Sequence, residues 1–194
     1  MSRHLGEREQ LPLFRALPGE DMALRDTQDL MAYPFFSLGK SRRTVPIRFE
    51  AGGVALTVEG VPEHGIATIW DADVLIWAAS QIVQAKKEGI RPSRLMVATP
   101  YEILRFIQRG AGRSDYLALR AALDRLQSTT VATTLRQRER PGGGKRTHRF
   151  SWINEWKEYV RSDGRSDGIE LILADWFFSG VMDDALVLTL DSAY

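Results

Sequence analysis

From Thr99 to Trp156 the spacing of hydrophobic positions switches from a helical period to a strand period. Thr99-Pro100-Tyr101-Glu102 opens a helix: a Thr cap, Pro at the first helical position, and Glu three residues on to close a capping box. Ile103, Leu104 and Ile107 then share one face, and Gly110-Ala111-Gly112 breaks the run. Ser114 and Asp115 start a second helix. In it Leu119, Ala122, Leu123 and Leu126 repeat as a core-facing stripe, with Arg113, Leu117, Arg120 and Asp124 on roughly the opposite side. The period then falls to two. Thr129 to Leu135 is β-branched and alternating, and His148 to Ile153 reads as the strand coming back. Between them lie Arg136, Arg138, Arg140, Pro141, three glycines, Lys145 and Arg146, a composition that forbids a ladder and demands a flexible tip. Helix–turn–helix followed by such a hairpin predicts an α+β winged helix, whose second helix is shaped to enter a major groove.

The flanks add elements on both sides. Val45–Phe49 and Val54–Val58, around Ala51-Gly52-Gly53, predict an N-terminal β-hairpin. A helix from Asp71 to about Glu88 is apolar nearly all round, so it is buried on more than one face. Leu95–Ala98 reads as a short strand, expected to supply the third strand of the winged-helix sheet. Past the hairpin, Trp152–Trp156 alternates and Arg161–Gly168 is a polar loop. Ile169–Leu173, Ala174–Val181 and Leu186–Leu190 then predict a strand–helix–strand extension. Residues 1–27, charged and without apolar period, read as a mobile arm, and 28–194 as one domain. The chain stops soon after a strand, which leads us to expect a further domain beyond it.

Charge sharpens the picture. The formal net charge is +1, yet Tyr101–Arg161 holds thirteen Lys and Arg against six Asp and Glu, while Ser162–Tyr194 holds one Arg against seven acids. A basic segment that coincides with helix–turn–helix and hairpin is the footprint of a nucleic-acid surface. The expected DNA contacts are Arg113 and Arg120 on the second helix, with Arg136, Arg138, Arg140, Lys145, Arg146 and Arg149 on the hairpin. With no cysteine and three scattered histidines (His4, His64, His148), no metal or cofactor site is expected. Neither Asp71 with Asp73 nor Asp183-Asp184 makes a convincing acid–base pair, and Pro141-Gly142-Gly143-Gly144-Lys145 lacks the spacing of a phosphate loop. Binding, not catalysis, is the expectation. No apolar run is long enough to span a membrane and no secretory signal opens the chain, so a cytoplasmic protein is expected.

Two resemblances extend this reading. Gln10-Leu11-Pro12-Leu13-Phe14 resembles the Gln-Leu-x-Leu-Phe peptide with which bacterial replication proteins bind the sliding clamp, making Gln10, Leu11, Leu13 and Phe14 candidate partner contacts. Met31–Leu38, Ile66–Ser80, Tyr116–Thr130, Ala174–Gly180 and Leu188–Asp191 resemble the plasmid replication initiator protein A family of bacteria. That resemblance implies an initiator built of two winged-helix domains, often homodimeric, that binds repeated origin sites in double-stranded DNA and recruits host replication proteins. This chain would supply the first domain, the second being absent from it. Rival readings are a winged-helix transcriptional repressor, or the dimerisation unit of an initiator whose DNA reader lies elsewhere.

Overall fold

The computed structural model describes residues 11–19, 22–137 and 142–191. In chain order the elements are β1 (Leu13–Arg15), β2 (Arg25–Thr27), α1 (Gln28–Ala32), β3 (Ile47–Ala51), β4 (Val54–Glu59) and α2 (Ala72–Lys87). They continue with β5 (Leu95–Ala98), α3 (Pro100–Phe106), α4 (Arg113–Ser128), β6 (Thr130–Thr133) and β7 (His148–Ser151), then β8 (Ile153–Val160), β9 (Ser166–Leu173), α5 (Asp175–Met182) and β10 (Val187–Thr189).

The core is built on α2. Its interior has no Gly or Pro, Asp73 sits in its first turn, and Lys86 and Lys87 in its last turn suit the helix dipole. Eleven of its sixteen residues are buried, as an all-round apolar sequence requires. Leu75, Trp77 and Ile82 are almost wholly enclosed, each worth about 1.5–3 kcal/mol of burial. Two four-stranded sheets flank this core, with strand orders β1-β5-β9-β8 and β3-β4-β6-β7, and β2 pairs separately with β10. Trp152, between β7 and β8, joins the two sheets. It meets the rings of Phe35, Phe36, Phe150, Trp176 and Phe177 at centroid distances of 5.1 to 6.4 Å.

The local predictions carry through. The capping box of α3 forms, Thr99 Oγ1 accepting from Glu102 N–H at 3.1 Å and Glu102 Oε2 from Thr99 N–H at 2.6 Å. The second helix starts slightly earlier than expected: Gly112 is its N-cap, with Asp115 accepting from the Gly112 N–H at 3.2 Å.

Strand pairing differs from the expectation. β6 and β7 do form a hairpin, but β6 continues into β4, so this hairpin extends the N-terminal one. β5 pairs instead with β9, and β9 with β8, so the third strand meets a hairpin turned at Arg161–Arg165. The expectation that Leu95–Ala98 supplies the third strand beside the Thr129–Ile153 hairpin is thereby corrected. The reason is register: Val131 and Thr133 bury only when laid against Val58 and Leu56.

The arm is corrected too. Residues 13–15 and 25–27 are strands, and β1 runs parallel to β5 with Phe14 opposite Met96. Phe14 is 4% exposed and Ala16 5%, so alternate positions enter the core and hold the segment down. Leu17 N–H donates to Gln81 Oε1 at 2.7 Å, while Gln81 Nε2 donates back to the Leu17 carbonyl at 3.2 Å.

Candidate nucleic-acid interface

The face of α4 opposite its buried stripe is open. Leu119, Ala122, Leu123 and Leu126 point inward, which leaves Arg113, Ser114, Leu117, Ala118 and Ala121 facing out. Its orientation is fixed from behind. Arg125 forks onto Asp71, with Nε at 2.7 Å and Nη2 at 2.8 Å from the two carboxylate oxygens. Asp71 also accepts from Thr68 N–H at 2.8 Å. This buried carboxylate, just ahead of α2, thus locks α4 against the core, and the bond holds the Arg125 guanidinium above its usual pKa range. Arg109, in the α3–α4 turn, is held likewise by Asp73 Oδ2 and the Trp70 carbonyl, each at 2.9 Å. Asp71 and Asp73 therefore serve as struts for two arginines.

A groove of about 590 Å³ runs between α4 and the β8–β9 turn, walled by Tyr101, Arg113, Leu117, Arg120, Val160 and Arg165. Arg113 is exposed there and makes no ion pair among the described residues. Arg120 leans toward β8, its Nε 3.5 Å from Glu158 Oε2. The same carboxylate accepts from the Tyr116 hydroxyl, and burial followed by that bond raises the Tyr116 pKa. Arg120 therefore stands at the groove wall with about half its side chain exposed.

The hairpin cations divide. Arg136 is no surface residue: its Nε donates to Asp29 at 2.5 Å, its Nη1 to the Trp176 carbonyl at 2.8 Å, and its guanidinium lies 3.6 Å from the Trp176 ring centroid. Its place among the expected DNA contacts is corrected, because the side chain is largely buried and its Nε and Nη1 are spent inside the fold. Lys145 reaches the Gly53 carbonyl at 3.1 Å, tying the tip to the β3–β4 turn. Arg146 and Arg149 are exposed on this second hairpin, and Arg138 and Arg140 lie outside the described residues. Of the candidate partner peptide, Gln10 lies outside the described residues, Leu11 is half-buried and Leu13 is 62% exposed. Phe14 is corrected from a free contact to a core residue.

Trp70, Arg109 and Arg125, which line the far side of α4, were not among the expected site residues. The 3.6-residue period does place Arg125 on the same side as Ala118 and Ala121, and that was the available signal.

Residues 25–194 match the sequence pattern of the family described as Replication initiator protein A. The chain belongs to that family. It is also 28% identical over 151 residues to a protein of Wigglesworthia glossinidia brevipalpis that is, by its name, a replication protein. That match takes in 76% of this chain and 53% of the relative, so the chain spans about half the relative's length. Two crystal structures of domains 2 and 3 of RctB share the fold. One aligns with a TM-score of 0.58 at 14% identity, covering 77% of this chain and 60% of RctB's. The other gives 0.55 at 16%, covering 77% and 57%. The mixed α and β architecture is thus one seen before. No helix among the described residues is long and apolar enough to cross a membrane.

Proposed function

We propose that this initiator-family chain is a winged-helix module that contacts origin DNA through α4 and the β8–β9 turn, and that it acts by binding without chemistry of its own. One observation carries the reading. The order α2-β5-α3-α4-β8-β9, with its strands arranged β5-β9-β8, leaves the Arg113–Leu117–Ala121 face of α4 uncovered beside a hairpin tip bearing Arg161 and Arg165. A helix so displayed has the dimensions for a major groove, and the hairpin then lies along the neighbouring backbone. Arg161 is paired with Asp167 at 2.7 Å, so its strength as a phosphate contact is reduced, whereas Arg113 has no such competitor among the described residues.

Binding of double-stranded origin repeats, as a homodimer in keeping with the family, would then be a matter of arginine readout and backbone contact. Recruiting the clamp through Gln10–Phe14 would require pulling Phe14 from the core and unzipping β1 from β5.

The test is a salt titration of the full chain on a duplex carrying origin repeats, against a scrambled duplex. With about six phosphate contacts, log K should fall with log salt at a slope near −5. Arg113→Ala should weaken origin binding by about 1–3 kcal/mol and narrow the preference for origin over scrambled DNA. Salt-insensitive binding, or an unchanged preference in the variant, would reject α4 as the reading helix.

A further inference from the structure

The flank of α4's open face away from the β8–β9 turn borders a second basic cleft, of about 560 Å³. Its α4 wall is made by Ala118, Ala121 and Arg125, and its far wall by the loop bearing Lys40 and Arg42. We infer that Lys40 and Arg42 clamp backbone phosphates of the same duplex that α4 enters, from the side away from the β8–β9 turn; this rests on the reading of α4 proposed above.

Three features carry the inference. The first is charge. Arg109 and Arg125 also line the cleft, but each is neutralised by its own buried or half-buried aspartate. Lys40 and Arg42 form no ion pair among the described residues; of the two carboxylates in the lining, Asp71 is spent on Arg125 and Glu63 is exposed at the rim. The surplus positive charge at this cleft is therefore theirs. The Lys40 ammonium stands 5.5 Å from the centroid of the Trp70 ring, which orients it without cancelling it.

The second feature is rigidity. The loop is fastened to the segment ahead of α2 by a ladder of backbone bonds. Ser37 N–H donates to the Ala67 carbonyl at 2.9 Å, Ile69 N–H to the Ser37 carbonyl at 3.1 Å, and Ile66 N–H to the Arg43 carbonyl at 2.8 Å. Gly65, at φ +75°, allows this approach: a Cβ there would stand 2.7 Å from Arg42 Cγ and 3.0 Å from the Arg43 carbonyl oxygen. Arg43 spends its own donors on the Val45 and Pro46 carbonyls, at 2.9 and 3.4 Å, which further fixes the loop. A preset loop binds an anion with little ordering cost.

The third is position. The small side chains of Ala118 and Ala121 leave the ridge of α4 low on this side, so a phosphate chain passing α4 has room to reach the loop. Cations on both flanks of one helix match the two phosphate strands that border a groove.

The experiment is the same salt titration on the full chain with Lys40→Gln/Arg42→Gln, with Lys40→Arg/Arg42→Lys as the conservative pair and Arg113→Ala for comparison. Both positions are exposed, so unchanged far-UV circular dichroism and melting temperature are expected. Losing two phosphate contacts should make the slope of log K against log salt shallower by about 1.8, so the gap between wild type and variant narrows about tenfold between 50 and 200 mM salt. The loss should be equal on origin and scrambled duplexes, and the conservative pair should restore the wild-type slope. An unchanged slope in the Gln pair, while Arg113→Ala still weakens binding, overturns the phosphate clamp and leaves the α4 reading intact. Binding of inorganic phosphate that the Gln pair abolishes, with duplex binding untouched, also overturns it, by assigning the cleft to a free anion. Failure of the wild-type chain to bind either duplex would instead strike at the α4 reading itself.

Discussion

Replacing Arg136 with alanine should destabilise the chain by about 3–5 kcal/mol, the cost of breaking a buried ion pair by removing one partner. Its guanidinium, 19% exposed, bonds Asp29, itself 13% exposed, and covers Trp176. Without it Asp29 is left with a desolvated charge, the Trp176 carbonyl loses a donor, and a void opens over the indole. Burial already pushes the Arg136 pKa down, and the bond to Asp29 opposes that shift without reversing it. The site is shaped for the cation. A Cβ on Gly180 would overlap the guanidinium, so Gly180→Ala should destabilise as well, by forcing α5 or the arginine aside. Urea unfolding at neutral pH checks both, and the DNA reading adds a contrast. Arg136→Ala should leave the salt slope of the remaining folded protein unchanged, where a phosphate-contacting arginine would make it shallower. A stable variant with a shallower slope would return Arg136 to the surface role that the sequence suggested.

That arginine shows where the sequence could and could not be read. Its neighbours Arg138, Arg140, Pro141 and Gly142 describe an exposed basic tip, and Arg136 was counted with them. Its partners stand 107 and 40 residues away in the chain, at Asp29 and Trp176, and nothing local announces them. The same division holds elsewhere. The capping box of α3, the buried stripe of α4 and the all-round burial of α2 depend on residues within a turn or two of one another, and all were legible. Which strands pair was not. β6 and β7 look like a self-contained hairpin, and so do β3 and β4; that they join through β4 and β6 depends on facing side chains more than seventy residues apart. The β8–β9 hairpin was half seen. Its alternation and its Asp163-Gly164 turn were visible, but the polar repeat from Arg161 to Gly168 read as a loop, although its second half is the start of β9. Charge misled in both directions: the charged residues around Phe14 suggested a mobile arm where Phe14 is in the core, and the basic run around Arg136 suggested a surface contact where Arg136 is buried.

Neutralising Asp26 should make the chain more stable, and the gain should appear only as pH rises. Asp26 lies in β2 opposite Leu188 of β10 and is 4% exposed. Burial raises its pKa from 3.8 to about 7, against the opposing effect of the Thr27 N–H, which donates to Asp26 Oδ1 at 2.7 Å. No cation among the described residues forms an ion pair with it. The sign follows from proton counting. Between pH 3.8 and 7 the folded chain holds a proton at this site that the unfolded chain has released, so stability falls as pH rises through that window and levels off above it. The full difference corresponds to about 4 kcal/mol, taking 1.36 kcal/mol per unit. Asp26→Asn keeps an oxygen to accept from Thr27 and carries no charge. The variant should therefore match wild type near pH 4 and exceed it by up to about 4 kcal/mol at pH 8, with its urea midpoint losing this part of the pH dependence. The carboxylate stands where β2 and β10 pair on α2, with Arg25 N–H donating to Ser80 Oγ at 2.8 Å beside it. Ionisation at that point should accordingly loosen the two-stranded sheet before the core, and amide exchange of Val187–Thr189 should speed up from pH 6 to 8 more than the intrinsic rate does. Parallel wild-type and Asp26→Asn stability curves across this range would show that the folded chain holds Asp26 as an ordinary carboxylate.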